Sequence, residues 1–473
     1  MLKSLFLNPP SYNGFDGGAG SRYQCTREVK SFWYPTWLAQ PAALIEGSRL
    51  IDAPARGMDL ENVLPLARDY ELLMLYTSTP SFRNDVRVAE AFKAANPELL
   101  VGFCGAHVAV NPEVSVLASD AVDFVTRNEF DFTIREVAEG RPLAAIDGLT
   151  YKRDGKAIHN RERAPVHDMD QLPWVTKVYK DHLVPEDYYN GYMLHPYMSF
   201  YTGRGCKSRC TFCLWPQTIG GHRYRTRSVA HIAAEVEWAR DNFPQVKEFF
   251  FDDDTLTDNI PQVEALAREL GKLDVIWSCN AKANVPYETL KIMKDNGLRL
   301  LLVGYESGNQ QILVNIKKGI RTDIARQFTR DCHKLGILIH GTFIVGLPGE
   351  TRETIEESIR YAQELNPQTI QVSLPAAYPG TYLYRQAVEN GWLLKDTSLV
   401  GNDGVQHSVL NYPDLSSNEI FAAVDEFYKR FYFRPRKMAS LLLDMCRDRA
   451  VMKRRLREGV EFFRFLFARE SAA

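Results

Sequence analysis

Cys206, Cys210 and Cys213 fall within Gly203-Arg-Gly-Cys-Lys-Ser-Arg-Cys-Thr-Phe-Cys-Leu214, three thiols separated by gaps of three and two residues. A single loop can bring thiols so spaced to one metal centre, and thiolates select zinc or iron–sulfur clusters. A 4Fe-4S cluster normally takes four cysteine ligands. The other five cysteines, Cys25, Cys104, Cys279, Cys332 and Cys446, are isolated from one another. A cube held by three thiolates keeps one iron open to another ligand. The competing reading is a zinc site completed by His195 or His222.

The rest of the chain must position that loop. At 473 residues it exceeds what one hydrophobic core usually serves, so two or three domains are expected. Its 45% hydrophobic and 25% charged residues are an ordinary globular composition. Eight cysteines without a pairing pattern argue for a reducing, cytoplasmic compartment. Leu5-Phe6-Leu7 is too short for a signal-peptide core, and no apolar run is long enough to span a bilayer.

The expected fold class is α/β. Residues 1–145 alternate short apolar runs, such as Leu5-Phe6-Leu7 and Leu72-Leu-Met-Leu-Tyr76, with helical patterns. That alternation predicts a Rossmann-like parallel sheet covered on both faces, with ligands beyond the carboxyl ends of its strands. This edge should carry Asn8, Thr77, Ser78, Gly105 and His107. Tyr12–Gly20, followed by Tyr23, Trp33, Tyr34 and Trp37, suits a lid or apolar entrance, with core packing as the competing fate of those rings. Residues 146–195 read as a linker holding a small hairpin at 148–159 and the aromatic run Tyr179, Tyr188, Tyr189 and Tyr192. Residues 196–395 read as six strand–helix units, a partial (β/α)6 barrel whose reactive face is the carboxyl end of the strands. Residues 396–473 form a helical, basic C-terminal region.

The spacing Cys-x3-Cys-x2-Cys, with Phe212 ahead of the last cysteine, resembles the signature of the radical S-adenosylmethionine (radical SAM) superfamily. The resemblance implies a 4Fe-4S cluster whose open iron chelates the cofactor's methionine moiety, and a 5′-deoxyadenosyl radical that takes hydrogen from substrate. It continues along the barrel in strand order. Asp253, after the second strand, would hold the cofactor's amino group, although Asp252-Asp253-Asp254 could equally cap the next helix. Asn280 would reach the ribose or carboxylate, and Glu306 with neighbouring Ser307 the ribose. Lys318, or Lys317, would pair with the methionine carboxylate. Ile344 would lie against the adenine, with Gly346 permitting close approach. No catalytic acid or base follows from these motifs.

The first domain resembles the cobalamin-binding domain that precedes many such barrels, through Asn8-Pro9-Pro10, Gly105-Ala-His-Val-Ala-Val-Asn-Pro-Glu113 and Asp123-Phe-Val-Thr-Arg-Asn-Glu129. It lacks the Asp-x-His-x-x-Gly of cobalt-ligating domains, and Asn128-Glu129-Phe130-Asp131 departs from the usual Gly-Glu-x-Glu. The alternative is a domain that only packs against the barrel. Over its length the chain is most similar to the hopanoid-biosynthesis radical SAM proteins, in their cyclitol-ether-forming branch. That implies contraction of a glucosamine-type pyranose on bacteriohopanetetrol into an aminocyclopentitol, with a lipid-linked sugar as substrate and a flavodoxin or ferredoxin as electron donor. His107, Tyr201, His340 and His407 are the candidates for touching such a sugar. One rival is a cobalamin-dependent C-methyltransferase; another is a non-catalytic iron–sulfur redox sensor or binding protein.

Net charge is −2, unevenly placed: from Arg434 onward 11 Lys/Arg and 5 Asp/Glu give +6, leaving −8 before it. Bases there alternate with Phe462, Phe463, Phe465, Leu466 and Phe467, a pattern suited to peripheral membrane contact, with simple docking on the barrel as the alternative. No nucleic-acid-binding fold accompanies the charge.

Overall fold

The computed structural model describes residues 1–10, 29, 31–394, 399–401, 405–447 and 449–472. Tyr12–Gly20, Tyr23 and Cys25 lie outside the described residues. The first sheet has seven strands: β1 Ser4–Asn8, β2 Arg49–Asp52, β3 Leu72–Tyr76, β4 Leu100–Cys104, β5 Phe124–Thr126, β6 Leu149–Arg153 and β7 Lys156–His159. Their order is β2-β1-β3-β4-β5-β6-β7, parallel through β5 and antiparallel beyond it. The hairpin expected in the linker is therefore the edge of this sheet. β1 and β3 are buried at every position, as strands covered on both faces must be.

The second sheet is built from β8 Tyr197–Phe200, β11 Glu248–Phe251, β12 Trp277–Ala281, β13 Leu298–Glu306, β14 Leu338–Ile344 and β15 Thr369–Ser373. All five pairings are parallel and follow chain order, the six-unit partial barrel expected. A short antiparallel pair, β9 Gly203–Arg204 and β10 Arg225–Thr226, brackets the cysteine loop.

One hydrophobic core runs through both units, holding Phe6, Tyr76 and Phe124 of the first sheet with Phe250, Trp277 and Leu301 of the second. The aromatic residues at the junction belong to it rather than to an entrance. Tyr34 stacks on Tyr188 at 4.0 Å and donates to the Tyr197 carbonyl at 2.9 Å. Tyr188 in turn donates to Asp52 at 3.0 Å, and Trp37 stacks on Trp215 at 5.6 Å.

Two ion pairs out of contact with water fasten the first unit to the strands bracketing the cysteines. Arg204 grips Asp131 with two bonds of 2.5 and 3.0 Å, and their side chains are 2% and 0% exposed. Arg225 grips Glu129 in the same forked manner. Both acids come from Asn128-Glu129-Phe130-Asp131, where Asn128 sits at φ +53°. Asparagine tolerates that left-handed conformation, so it fills the place of the usual glycine. The motif departs in letters and keeps its two carboxylates.

The C-terminal region packs as helix Ser417–Tyr432, which buries Ile420, Val424, Phe427, Tyr428 and Phe431, the face its periodicity predicts. Helices Pro435–Arg447 and Arg449–Ala472 follow. No helix among the described residues is long and apolar enough to cross a membrane.

Removing one partner of a desolvated pair leaves an unpaired buried charge, which costs about 3–5 kcal/mol. Arg204→Met should therefore lower the thermal unfolding midpoint sharply, and Arg204→Met with Asp131→Leu should recover most of it. A double variant no more stable than the single one would contradict this account.

Candidate active site at the barrel mouth

The chain reaches the carboxyl end of β8 and is caught at once. Asp253, fully buried at the end of β11, accepts from the Thr202 amide at 3.0 Å, the Thr202 hydroxyl at 2.8 Å and the Gly203 amide at 2.5 Å. Burial pushes its carboxyl up to about 7, with those donors and the Gly203 amide pulling the other way. Its oxygens are thus spent on the strand that launches the cysteine loop. The expectation that Asp253 holds the cofactor's amino group is corrected: it positions the loop. Asp254 is part-exposed instead, and its Oδ2 faces the backbone of Gly220 inside the loop.

The loop closes tightly. Gly205 adopts φ +88°, and a Cβ there would lie 2.8 and 3.0 Å from the carbonyl oxygens of Gly220 and Gly221. The Cys206 amide donates to Gly221 at 3.2 Å, and the Ser208 amide to the Cys206 sulfur at 3.4 Å. Gln217 gathers the loop from within: its Nε2 donates to the carbonyls of Cys210, Thr211 and Cys213 at 3.2, 3.2 and 2.6 Å. Its Oε1 accepts from the Tyr382 amide at 2.8 Å, joining the loop to the segment after β15. Nothing in the cysteine spacing announces Gln217; its offset of four from Cys213 on a short helix was the available signal.

Cys206 and Cys210 are buried and Cys213 is part-exposed. No three His, Cys, Asp or Glu side chains among the described residues form a group that could hold a single ion. In an iron–sulfur cube each thiolate serves a different iron, so three thiols spaced round one loop suit it. Of the zinc alternatives, His195 lies before β8, at the opposite end of the barrel, and meets the Tyr188 carbonyl at 3.1 Å. His222 is beside the loop, its Nδ1 2.9 Å from the Ser208 carbonyl.

The remaining predicted residues divide into two groups. Glu306, at φ +62° at the end of β13, is paired with Lys318 at 2.6 Å. Burial alone would drive the Lys318 ammonium down, but Glu306 and the Cys210 thiol outweigh it and raise it. A cation is thereby held beside the thiols. Phe212 and Ile344 pack against one apolar cluster of Ile312, Leu313, Ile316 and Leu347, tied to the cysteine loop by the Thr211 amide donating to the Ile316 carbonyl at 2.9 Å. Asn280 at the end of β12 donates to the Asp253 carbonyl at 2.8 Å. These residues surround the loop.

Others are engaged with different partners. Ser307 is buried against Ser358 at 3.1 Å. Lys317 lies over the Tyr382 ring at 4.5 Å. Gly346 has φ +99° because the chain turns there, and a Cβ would lie 2.6 Å from Ile420, so its close approach is to the C-terminal helix. Its amide donates at 2.6 Å to Glu350, whose buried carboxyl is pushed up to about 7 by desolvation. His340 stands near the amino end of β14, stacked on Tyr192 at 4.0 Å, so it cannot touch a substrate at the mouth. His407 stacks on Phe421. Tyr201 packs on Trp37.

At the carboxyl edge of the first sheet, Asn8 donates to Asp52 at 2.6 Å, Thr77 to Asp85 at 2.5 Å, and Ser78 and Ser81 share a bond of 2.9 Å. Gly105, at φ +120°, lies against the Thr77 carbonyl where no Cβ would fit. The edge thus offers closely crossed backbone, the surface on which such sheets take nucleotide-bearing cofactors. His107 has Nδ1 3.1 Å from Thr79 and its ring on Phe82 at 4.4 Å, and burial lowers it to about 4. Those residues fit a corrinoid held without a protein ligand to cobalt. Beyond the edge, Val110 packs directly on the barrel: a Cβ at Gly380 would lie 2.5 Å from Val110 and 3.3 Å from Thr218.

Residues 200–362 match the family model described as the Radical SAM superfamily. Over 453 residues the chain is 27% identical to "Uncharacterized methyltransferase PH0819" of Pyrococcus horikoshii, covering 92% of this chain and 94% of that one. It is 22% identical to the bacteriochlorophyllide d C-8(2)-methyltransferase of Chlorobaculum tepidum, over 79% of this chain and 82% of the relative. The anaerobic magnesium-protoporphyrin IX monomethyl ester cyclase of Rubrivivax gelatinosus is 24% identical, with shares of 81% and 70%. The structure of the radical SAM methyltransferase TsrM from Kitasatospora setae, solved with cobalamin and a [4Fe-4S] cluster, has the same fold: TM-score 0.71, 15% identity, 99% of both chains.

Replacing Cys206, Cys210 and Cys213 with alanine should give colourless protein free of iron after anaerobic reconstitution, while Gln217→Ala should reconstitute with lowered iron content and an unchanged fold by circular dichroism. Full iron content in the triple variant would remove the loop as the cluster's seat.

Proposed function

We propose that this member of the radical SAM superfamily is a cobalamin-dependent C-methyltransferase acting at an unactivated carbon of a substrate bound at the barrel mouth. The observation that carries the reading is the pairing of a three-thiol loop at that mouth with a Rossmann edge opposite it, in a chain whose fold is that of TsrM. The names of PH0819 and the bacteriochlorophyllide relative support the same reaction class.

When bound, the cluster and S-adenosylmethionine supply a radical strong enough to take an unactivated hydrogen, and cobalamin supplies a transferable methyl group. The chain's own residues hold and orient. Cys206, Cys210 and Cys213 ligate the cluster, and Gln217 fixes the backbone from which they project. Lys318 offers a cation to the methionine carboxylate, held in place by Glu306. Phe212 and Ile344 would give the adenine an apolar bed. A flavodoxin or ferredoxin is the class of partner that would deliver the electron.

A second reading keeps the radical and omits the methyl group: contraction of the sugar of a glucosaminyl bacteriohopanetetrol into an aminocyclopentitol. The packing of Val110 against Gly380 and Thr218 favours it, because side chains there occupy part of the space between the Rossmann edge and the mouth. Resemblance to the hopanoid-biosynthesis proteins favours it too. A reaction that needs no corrinoid would tolerate that closure.

One assay separates the two. Reduced, reconstituted protein with S-adenosylmethionine and cobalamin is given glucosaminyl bacteriohopanetetrol, and the products are read by mass spectrometry. Methyl transfer predicts a product heavier by one methylene, with S-adenosylhomocysteine formed alongside 5′-deoxyadenosine. Ring contraction predicts an isomer of unchanged mass with 5′-deoxyadenosine alone, and would overturn the methyltransferase reading.

A further inference from the structure

The last two helices, Pro435–Arg447 and Arg449–Ala472, cross the amino end of the barrel and roof a cavity of about 330 Å³. Trp33, Tyr192, Ile370, Leu441, Met445 and Phe462 give it an apolar body. Its polar groups include Asn190, 2% exposed, whose Oδ1 has no hydrogen-bond partner among the described residues. A buried acceptor left unpaired is destabilising. A hydroxyl or amine donor bound beside Asn190 would relieve that by drawing its amide oxygen, buried as it stands, toward the cavity. Glu458 lines the same cavity but is already engaged, by the Tyr189 hydroxyl at 3.1 Å and by Arg455 at 2.8 Å.

This cavity is separate from the mouth. Ile370 lies at the start of β15, and the strand runs several residues further before it reaches the end that carries the cluster loop, roughly 10 Å at the strand rise. The cavity opens elsewhere: Phe433, Met438 and Phe463 line it and are also 47%, 47% and 49% exposed. Around that opening the two helices expose Leu442, Leu443, Leu456, Val460 and Phe467, each more than half accessible, with Arg436, Lys453, Arg457 and Arg464 among them. An exposed apolar field of this kind marks an interaction surface. Bases interleaved with large apolar side chains on helices match the chemistry of an anionic bilayer, hydrocarbon beneath and phosphate around.

We propose that the cavity binds the hydrocarbon part of one membrane lipid that carries a hydroxyl or amine donor, taken up from an anionic bilayer on which the two helices lie. The proposal is independent of which reaction the mouth performs. Gly459 gives it a specific test, because Gly459 lines the cavity and a Cβ there meets nothing within 4 Å. Gly459→Phe therefore fills the space without a clash at its own backbone.

Full-length protein is mixed with phosphatidylcholine–phosphatidylglycerol vesicles whose acyl chains are brominated, then sedimented and read by tryptophan fluorescence. The wild type should sediment with the vesicles and be quenched. Trp33→Phe should sediment with most of the quenching gone, and Gly459→Phe should do the same because the chain no longer reaches Trp33. Leu442→Glu with Phe467→Glu, both at exposed positions, should lose sedimentation and quenching together. Native mass spectrometry with 1-hexadecanol should show one adduct on the wild type, less on Asn190→Leu and none on Gly459→Phe. Wild-type protein that stays in the supernatant, quenching unchanged by Gly459→Phe, or equal hexadecanol adducts on all three proteins would overturn the proposal.

Discussion

Two guanidinium–carboxylate pairs, Arg204 with Asp131 and Arg225 with Glu129, are shut away from water on either side of the cysteine loop. Each ion has given up hydration worth several kcal/mol, which its forked partner offsets together with the Trp37 ring under Arg204 and the Val166 and Gly220 backbone around Arg225 and Glu129. The two sides of the loop therefore cannot move away from the first unit without stranding a charge. Asp253 imposes the same constraint from the barrel side through the Thr202 and Gly203 amides. Thiols that must meet three corners of a rigid cube need a backbone fixed to a few tenths of an ångström. The loop has that because it is anchored to both sheet units at once. The Rossmann-like unit thus has a structural duty at the active site whatever it binds at its own carboxyl edge.

What the sequence made legible was local or ordinal. The spacing of three cysteines, the alternation of apolar runs with helical periods, and the order of six barrel units all survive in the folded chain because each depends on neighbours in sequence. What it hid depends on distance. Asp253 reads as a free carboxylate beside two others, and only the return of the chain to β8 shows its oxygens occupied. Ser307 follows Glu306 by one residue and so faces the other way, into Ser358. Gly346 fits a cofactor pattern, yet the body that needs its missing side chain is Ile420, more than seventy residues on. His340 is kept from the mouth by a simpler constraint. It is the third residue of a seven-residue strand whose reactive end is the seventh, so counting along β14 alone places it on the floor.

Asn128-Glu129-Phe130-Asp131 illustrates the limit of letter matching. Compared residue by residue with Gly-Glu-x-Glu, it looks eroded. Compared by what each position must do, it is intact: a left-handed first residue at φ +53° and two carboxylates two apart, each meeting an arginine. Its signal was an acid pair together with two arginines on opposite sides of the cysteines, Arg204 just before Cys206 and Arg225 well after Cys213.

The positive charge of the C-terminal region also separates into two populations once folded. Lys437 donates to the Pro367 carbonyl at 2.6 Å, Arg434 to the Gln363 carbonyl at 2.8 Å, and Arg469 to Asp425 at 2.6 Å while lying on the Phe421 ring at 3.8 Å. Lys437 and Arg434 hold the region on the barrel, and Arg469 holds its last helix to its first; the ones that remain exposed sit beside exposed apolar residues. The first of the three helices, Ser417–Tyr432, runs the depth of the barrel. Near its start Ile420 presses on Gly346 beside the mouth, and near its end the Tyr428 and Tyr432 hydroxyls accept from the Val372 and Ile370 amides of β15 at 2.8 and 3.0 Å. Tyr432 lines the cavity below. A single rigid element therefore touches both ends of the barrel. Coupling between the ends would require that element to have two positions. The capping box of Ser416 with Glu419 and six buried apolar side chains hold it in one. Occupation of the cavity and of the mouth would accordingly be independent of each other.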